Sequence, residues 1–167
     1  MPEARRARPT DAEAIAVIFE QGIEDGVATF ETAPPDIEGW RQRLSSGDEI
    51  VLVAERDGAV VAWAAAGPYS DDHSYYAGVR EATLYVERSH RRGGLGALLL
   101  DALALEAESE GAHKLIGKVM AANPASIALC EACGFRQVGT HHRHARLHGE
   151  WQDVVVVELL LGDARMT

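Results

Sequence analysis

Apolar positions along the chain fall into two rhythms, and their alternation lays out the secondary structure. Ile15, Ile18, Phe19 and Ile23 recur at helical spacing, and the "TDAE" ahead of them reads as a capping box in which Thr10 caps the helix and Glu13 reaches back. A short strand around Arg5 to Arg8 precedes this helix. Pro34 and Pro35 interrupt the next segment, after which Asp36 caps a short helix with Ile37, Trp40 and Leu44 on one face. The rhythm then changes. "EIVLVAER" and "AVVAWAAAG" are apolar runs of strand length joined by Asp57-Gly58, a pair suited to the positive dihedrals of a tight hairpin turn. Beyond them "EATLYVE" predicts a strand, "GLGALLLDALALEAESEG" a helix, "KLIGKVM" a strand, "NPASIALCEACG" a helix, and "FRQVGTH" and "DVVVVELLL" two strands.

This order predicts an α/β (α+β) sheet with helices packed on it, parallel in its middle and antiparallel where the hairpin joins. No repeat, low-complexity tract or linker divides the 167 residues, so residues 1–167 read as one domain. Leu98, Leu99 and Leu103 read as plain core packing.

Charge narrows the function. Sixteen Lys and Arg stand against twenty-six Asp and Glu, a formal net charge of −10, which repels polyanions and argues against nucleic-acid or membrane-surface partners. Any anion must be captured locally. The two cysteines, Cys130 and Cys133, are too few for a disulfide scaffold and fall on one helical turn, as buried thiols or, alternatively, a redox pair. No run reaches the length of a membrane span and the N-terminus lacks the apolar centre of a signal peptide, so a soluble cytoplasmic protein is expected.

Against that acidic background, "SHRRGGLGALLL" concentrates two arginines and three glycines between a strand ending near Val86 and a helix starting near Leu95. The first N–H groups of a helix lack internal partners and carry partial positive charge, so main chain alone can hold a phosphate there. The bland alternative is a loop that needs only flexible dihedrals. Spacing removes two familiar phosphate loops. Ala97 and Leu98 follow Gly96 where a P-loop has Lys and Ser or Thr, and Leu99 stands where a dinucleotide fingerprint has its third glycine.

What remains, Arg91-x-x-Gly94-x-Gly96-Ala97 between strand and helix, resembles the pyrophosphate loop of the GCN5-related N-acetyltransferase superfamily. "NPASIALCEACGF" resembles the superfamily's asparagine-initiated helix ending in Gly-Phe or Gly-Tyr beside the pantetheine arm. The resemblance implies the acyl-CoA N-acyltransferase fold: one domain, a mixed and mostly antiparallel sheet with a parallel, splayed centre, and flanking helices. It implies acetyl-CoA as co-substrate and no metal. Its contacts would be Arg91, Arg92, Gly93, Gly94, Leu95, Gly96 and Ala97 in the loop, the main chain of Leu84, Tyr85 and Val86, and Asn123 and Ser126 on the second motif.

Further segments, "GIEDGVATFETAPP", "EATLYV" and "HGEWQDVVVVE", resemble the phosphinothricin and methionine-sulfoximine acetyltransferase group, which acetylates the α-amine of amino-acid analogues. That likeness implies a catalytic glutamate at Glu81 and a catalytic or substrate-facing histidine at His148, with a homodimer as the assembly. Phe30, Tyr75 and Arg80 are candidates for the acceptor pocket, each equally open to a packing or surface role. His141, His142, His144 and His148 suggest a zinc site at first sight, but Cys and acidic partners at ligand spacing are absent and a loop can display histidines to solvent.

Two departures qualify the likeness. Cys130 stands where many members carry a tyrosine acid, leaving the general acid unassigned, and Asp71 and Asp72 follow the third strand where phosphinothricin enzymes carry basic residues. The expected activity is direct transfer of acetyl to a small, amino-acid-like primary amine. The alternatives are protein or peptide N-acetylation and a non-catalytic acyl-CoA sensor.

Overall fold

The structure, a computed structural model, describes residues 1–167 except Pro35, Asp71 and Thr167. Four helices, α1 (Ala12–Asp25), α2 (Ile37–Ser46), α3 (Leu95–Ser109) and α4 (Pro124–Ala132), pack on strands β1 (Glu3–Arg6), β2 (Ile50–Arg56), β3 (Ala59–Pro68), β4 (Val79–Val86), β5 (Lys114–Met120), β6 (Arg136–Leu147) and β7 (Glu150–Leu160). The strands form one sheet in the order β1-β2-β3-β4-β5-β7-β6. Only β4 and β5 run parallel, as the superfamily likeness implies.

Strand alternation sends residues to two cores. On one face Leu52, Ala64 and Leu115 meet Leu95, Leu99 and Leu103 of α3, and each of those helix leucines is almost wholly buried, worth about 1.5–3 kcal/mol against exposure. On the other face Val53, Trp63 and Ala65 meet Ile15, Phe19 and Trp40 from α1 and α2. Tyr85 of β4 stacks on Trp63 with ring centroids 4.9 Å apart. Gly22 lets α1 lie directly on that tyrosine, since a Cβ there would stand 2.8 Å from the ring.

The hairpin turn forms as its chemistry demands, with Asp57 at φ 53° and Gly58 at φ 78°. Asp36 caps α2 by accepting from the Gly39 N–H at 2.6 Å. The capping box at Thr10 does not form. The chain enters α1 through a 3-10 turn over Pro9–Asp11, where the Asp11 carboxylate accepts from the Arg8 N–H at 2.7 Å and from Arg5 at 2.8 Å. Thr10 lies inside that turn and no side chain caps α1, and the first strand ends at Arg6 instead of Arg8.

The histidine-rich stretch is also a correction. It is not a loop: β6 continues through it to Leu147 and pairs with β7 across a register shift between His141 and Ala145. Partnership with β7 over so long a hairpin supplies the hydrogen bonds that local sequence does not advertise.

Candidate active site

The site begins where β4 and β5 part. They pair only at Val79, Arg80 and Glu81 against Lys114, Leu115 and Ile116. Beyond Glu81, β4 stays on β3 and β5 stays on β7, so the sheet opens between Ala82–Val86 and Gly117–Met120. Beside the opening, between the end of β4, the loop that follows it and α4, lies a cleft of about 460 Å³ whose lining includes Leu84, Tyr85, Val86, Arg91, Arg92, Gly94, Leu95, Gly96, Ala97, Asn123 and Ser126. Every residue assigned to the co-substrate from sequence is among its lining residues except Gly93. A smaller cavity of about 80 Å³ shares Leu84, Tyr85, Asn123 and Ser126 and adds Thr83, Lys118 and Cys130.

The loop at the cleft mouth is built for an anion. Gly94, in the left-handed region at φ 83°, caps α3 without a side chain, and Arg92 is also left-handed at φ 63°. No main-chain N–H from Gly94 through Ala97 has an acceptor among the described residues. Gly96 packs against α4 so closely that a Cβ would stand 2.6 Å from Leu129 Cδ2. The loop is held from behind by α1: Arg88 N–H donates to Gln21 at 2.8 Å, and the Arg88 guanidinium reaches Glu24 at 3.0 Å and Asp25 at 3.2 Å. Arg91 pairs with Asp25 at 2.7 Å.

At the foot of the loop, Glu87 accepts from the Ser89 main chain at 3.0 Å and meets the His90 ring at 2.6 Å. The Ser89 hydroxyl first, then His90, hold its carboxyl down to about 2. Asn123 caps α4 by accepting from the Ser126 N–H at 3.3 Å, which fixes both residues on the cleft wall. Burial pushes the Cys130 thiol up to about 11.

The model of the acetyltransferase (GNAT) family matches residues 15–135. The chain belongs to this family. It is 33% identical to a phosphinothricin N-acetyltransferase of Streptomyces viridochromogenes over 154 residues, covering 91% of this chain and 84% of the relative. It is 27% identical to an L-methionine sulfoximine/L-methionine sulfone acetyltransferase of Pseudomonas aeruginosa over 165 residues, covering 96% and 95%. A solved phosphinothricin acetyltransferase from Sinorhizobium meliloti in complex with AcCoA superimposes with a TM-score of 0.92 at 29% identity, covering 99% of this chain and 91% of that one. The chain is thus an N-acetyltransferase of the GNAT fold.

Within this acetyltransferase the other sequence candidates scatter. Glu81 is the last residue of the parallel pairing and points toward the α1 side of the sheet, with Thr83 and Tyr85. Arg80, its neighbour in sequence, points to the opposite face, where it donates to the Ala66 carbonyl at 3.2 Å and to Glu110 at 3.3 Å. Phe30 lies half-buried in the loop after α1. Tyr75 is exposed in a 3-10 turn, stacked on His73 at 5.0 Å. Asp71 lies outside the described residues, and Asp72 is exposed.

His148 occupies the turn between β6 and β7 at φ 49°, followed by Gly149 at φ 82°. Glu81 and Glu158 both pair with Ile116, and Glu150, where β7 begins, is roughly 26 Å of extended strand from Glu158. One chain therefore does not bring His148 and Glu81 together. His141 and His144 stack at 4.4 Å and His142 meets Asp153 at 3.2 Å; no group of three or more metal-binding side chains assembles among the described residues.

Two residues escape the sequence reading. Asp25 orients Arg91, and Lys118 Nζ lies 3.2 Å from Glu81 Oε2. The signal for Lys118 lies in the strand register: it is two positions past the last parallel pair, on the face that carries Glu81.

Proposed function

We propose that this enzyme transfers the acetyl group of acetyl-CoA to the primary amine of a small, amino-acid-like acceptor. The observation that carries the reading is the run of free N–H groups from Gly94 to Ala97, opening a 15-residue helix beside the cleft lined by Leu84, Tyr85 and Val86. A diphosphate fits such a loop. It satisfies orphan donors, meets the positive end of the α3 dipole, and finds no side chain at Gly94 or Gly96 to keep it away. Bound there, acetyl-CoA supplies a thioester carbonyl and a thiol leaving group. The Leu84–Val86 edge, which lacks a β5 partner, offers main-chain groups to the pantetheine amides.

Glu81 takes a proton from the acceptor's ammonium, directly or through water, and so frees the nitrogen lone pair for direct attack. Buried Cys130, with its thiol held protonated, forms no acyl-enzyme. His148 has a place in this reading only if a second copy brings its hairpin to the cleft; the exposed length of β6 supports a homodimer.

The test is free-thiol release with a panel of amino acids, polyamines and short peptides. Release with an amino acid supports the reading, release with peptides alone moves it to protein acetylation, and none with any amine overturns it. Glu81→Gln is expected to lower kcat by about 100-fold while acetyl-CoA still binds with near wild-type affinity; equal loss of both overturns its role as base.

A further inference from the structure

We propose that Lys118 binds the carboxylate of the acceptor, so that the enzyme selects zwitterionic α-amino acids over simple amines; this rests on the proposed transfer to an amino-acid-like acceptor. The structure sets Lys118 Nζ 3.2 Å from Glu81 Oε2, on the wall of the smaller cavity. Both side chains leave the sheet on the same face. Glu81 pairs with Ile116, and Lys118 is two residues further along β5.

Lys118 has donors to spare. An ammonium carries three N–H groups, and Glu81 is the one acceptor they meet among the described residues. The other cations of this row are occupied, since Lys114 and Arg136 both pair with Glu158, at 3.3 Å and 2.9 Å. The row formed by Lys114, Lys118 and Arg136 against Glu81 and Glu158 carries three positive groups to two negative, in a chain of net charge −10. Free positive capacity is thus concentrated beside the proposed base.

An α-amino acid matches this pair because its ammonium and carboxylate share one carbon. With the ammonium on Glu81 and the carboxylate on Lys118, four charges alternate around a closed ring, and the existing Glu81–Lys118 contact is one edge of it. Like charges fall on the diagonals. Each new edge is a charge-assisted hydrogen bond of about 2.7–2.9 Å. A simple amine fills one corner and leaves Lys118 unanswered.

The experiment compares an accepted amino acid with its carboxamide, using wild type, Lys118→Met and Lys118→Arg. For Lys118→Met we expect kcat/KM for the acid to fall by about 10- to 100-fold more than for the amide, the extra loss mainly through KM. Calorimetric affinity of the CoA-bound protein for the acid should weaken in parallel, and Lys118→Arg should restore part of it. Equal losses for acid and amide, a loss in kcat alone, or no loss overturn the proposal while leaving the acetyl-transfer reading intact. A wild-type enzyme that acetylates amines but no amino acid overturns both.

Discussion

The Arg91 guanidinium stands 2.7 Å from the Asp25 carboxylate while its Nε donates to the Val86 carbonyl at 3.2 Å. The arginine is therefore aimed across the cleft mouth before any anion arrives. Both partners are partly exposed, so their ion pair contributes only about 0–1 kcal/mol, and its main effect is orientation. Arg91→Ala is expected to weaken acetyl-CoA binding about 10-fold at low salt, and less at high salt, where exposed charges are screened. Asp25→Asn removes both an orienting partner and a competing anion, so its effect should stay within about threefold. Titration of acetyl-CoA at two ionic strengths checks both; a larger effect from Asp25→Asn than from Arg91→Ala would reject this division of labour.

Gly96 separates stability from binding. A Cβ there would lie 2.6 Å from Leu129 Cδ2 and 3.3 Å from Leu84 Cδ2. Overpacking costs about 1–3 kcal/mol, and replacing a helical glycine with alanine returns about 1. Gly96→Ala should thus lower stability by no more than about 2 kcal/mol, yet push Leu129 into the cleft it lines and weaken acetyl-CoA binding by about 10-fold. Adding Leu129→Ala is expected to restore binding in a double-mutant comparison. Undiminished affinity in Gly96→Ala would show that Leu129 yields away from the cleft.

The loop was legible in the sequence because its chemistry is local and main-chain: glycines, a helix start and an arginine within a few residues define it. The Asp57-Gly58 hairpin was legible for the same reason. Thr10 lies inside a 3-10 turn that Asp11 closes on the Arg8 N–H, a local alternative to the capping box. Elsewhere a distant partner decided: the histidines of β6 are ordered as strand by pairing with β7. Arg80 and Glu81 adjoin in sequence, but strand alternation sends them to opposite faces. Lys118 needed the β4–β5 register, which no local pattern of "KLIGKVM" encodes.

Acidification should loosen the base of the loop through Glu87. Its carboxyl is held at about 2 by the Ser89 hydroxyl and the His90 ring, against about 4.3 in an unfolded chain. Between these values the unfolded state binds more protons, so stability rises with pH there. The contribution is complete above about pH 4.3 and is lost as pH falls toward 2. Asp11, lowered by Arg5, adds to the same acid-side loss, so the informative quantity is the difference between wild type and Glu87→Gln. Melting temperatures should differ by roughly 2–4 °C at pH 6 and converge near pH 2.5. A constant gap across that range would mean that the Glu87 contacts do not depend on its charge.

Cys130 lines the cavity next to Glu81's partner Lys118, a position from which a side chain could return a proton to the departing sulfur. Burial, however, pushes its thiol up to about 11. A free thiol titrates near 8.5, so passing a proton from Cys130 to a CoA thiolate runs uphill by more than about a hundredfold in equilibrium. Water or the proton released by the acceptor's ammonium meets less resistance. Cys130→Ala is therefore expected to keep kcat within about twofold while losing about 1 kcal/mol of stability from the vacated core volume. Alkylation of the wild type should reach partly buried Cys133 well before Cys130. A tenfold fall in kcat for Cys130→Ala, with acetyl-CoA affinity unchanged, would instead assign the proton to this thiol and require that its environment change when both substrates are bound.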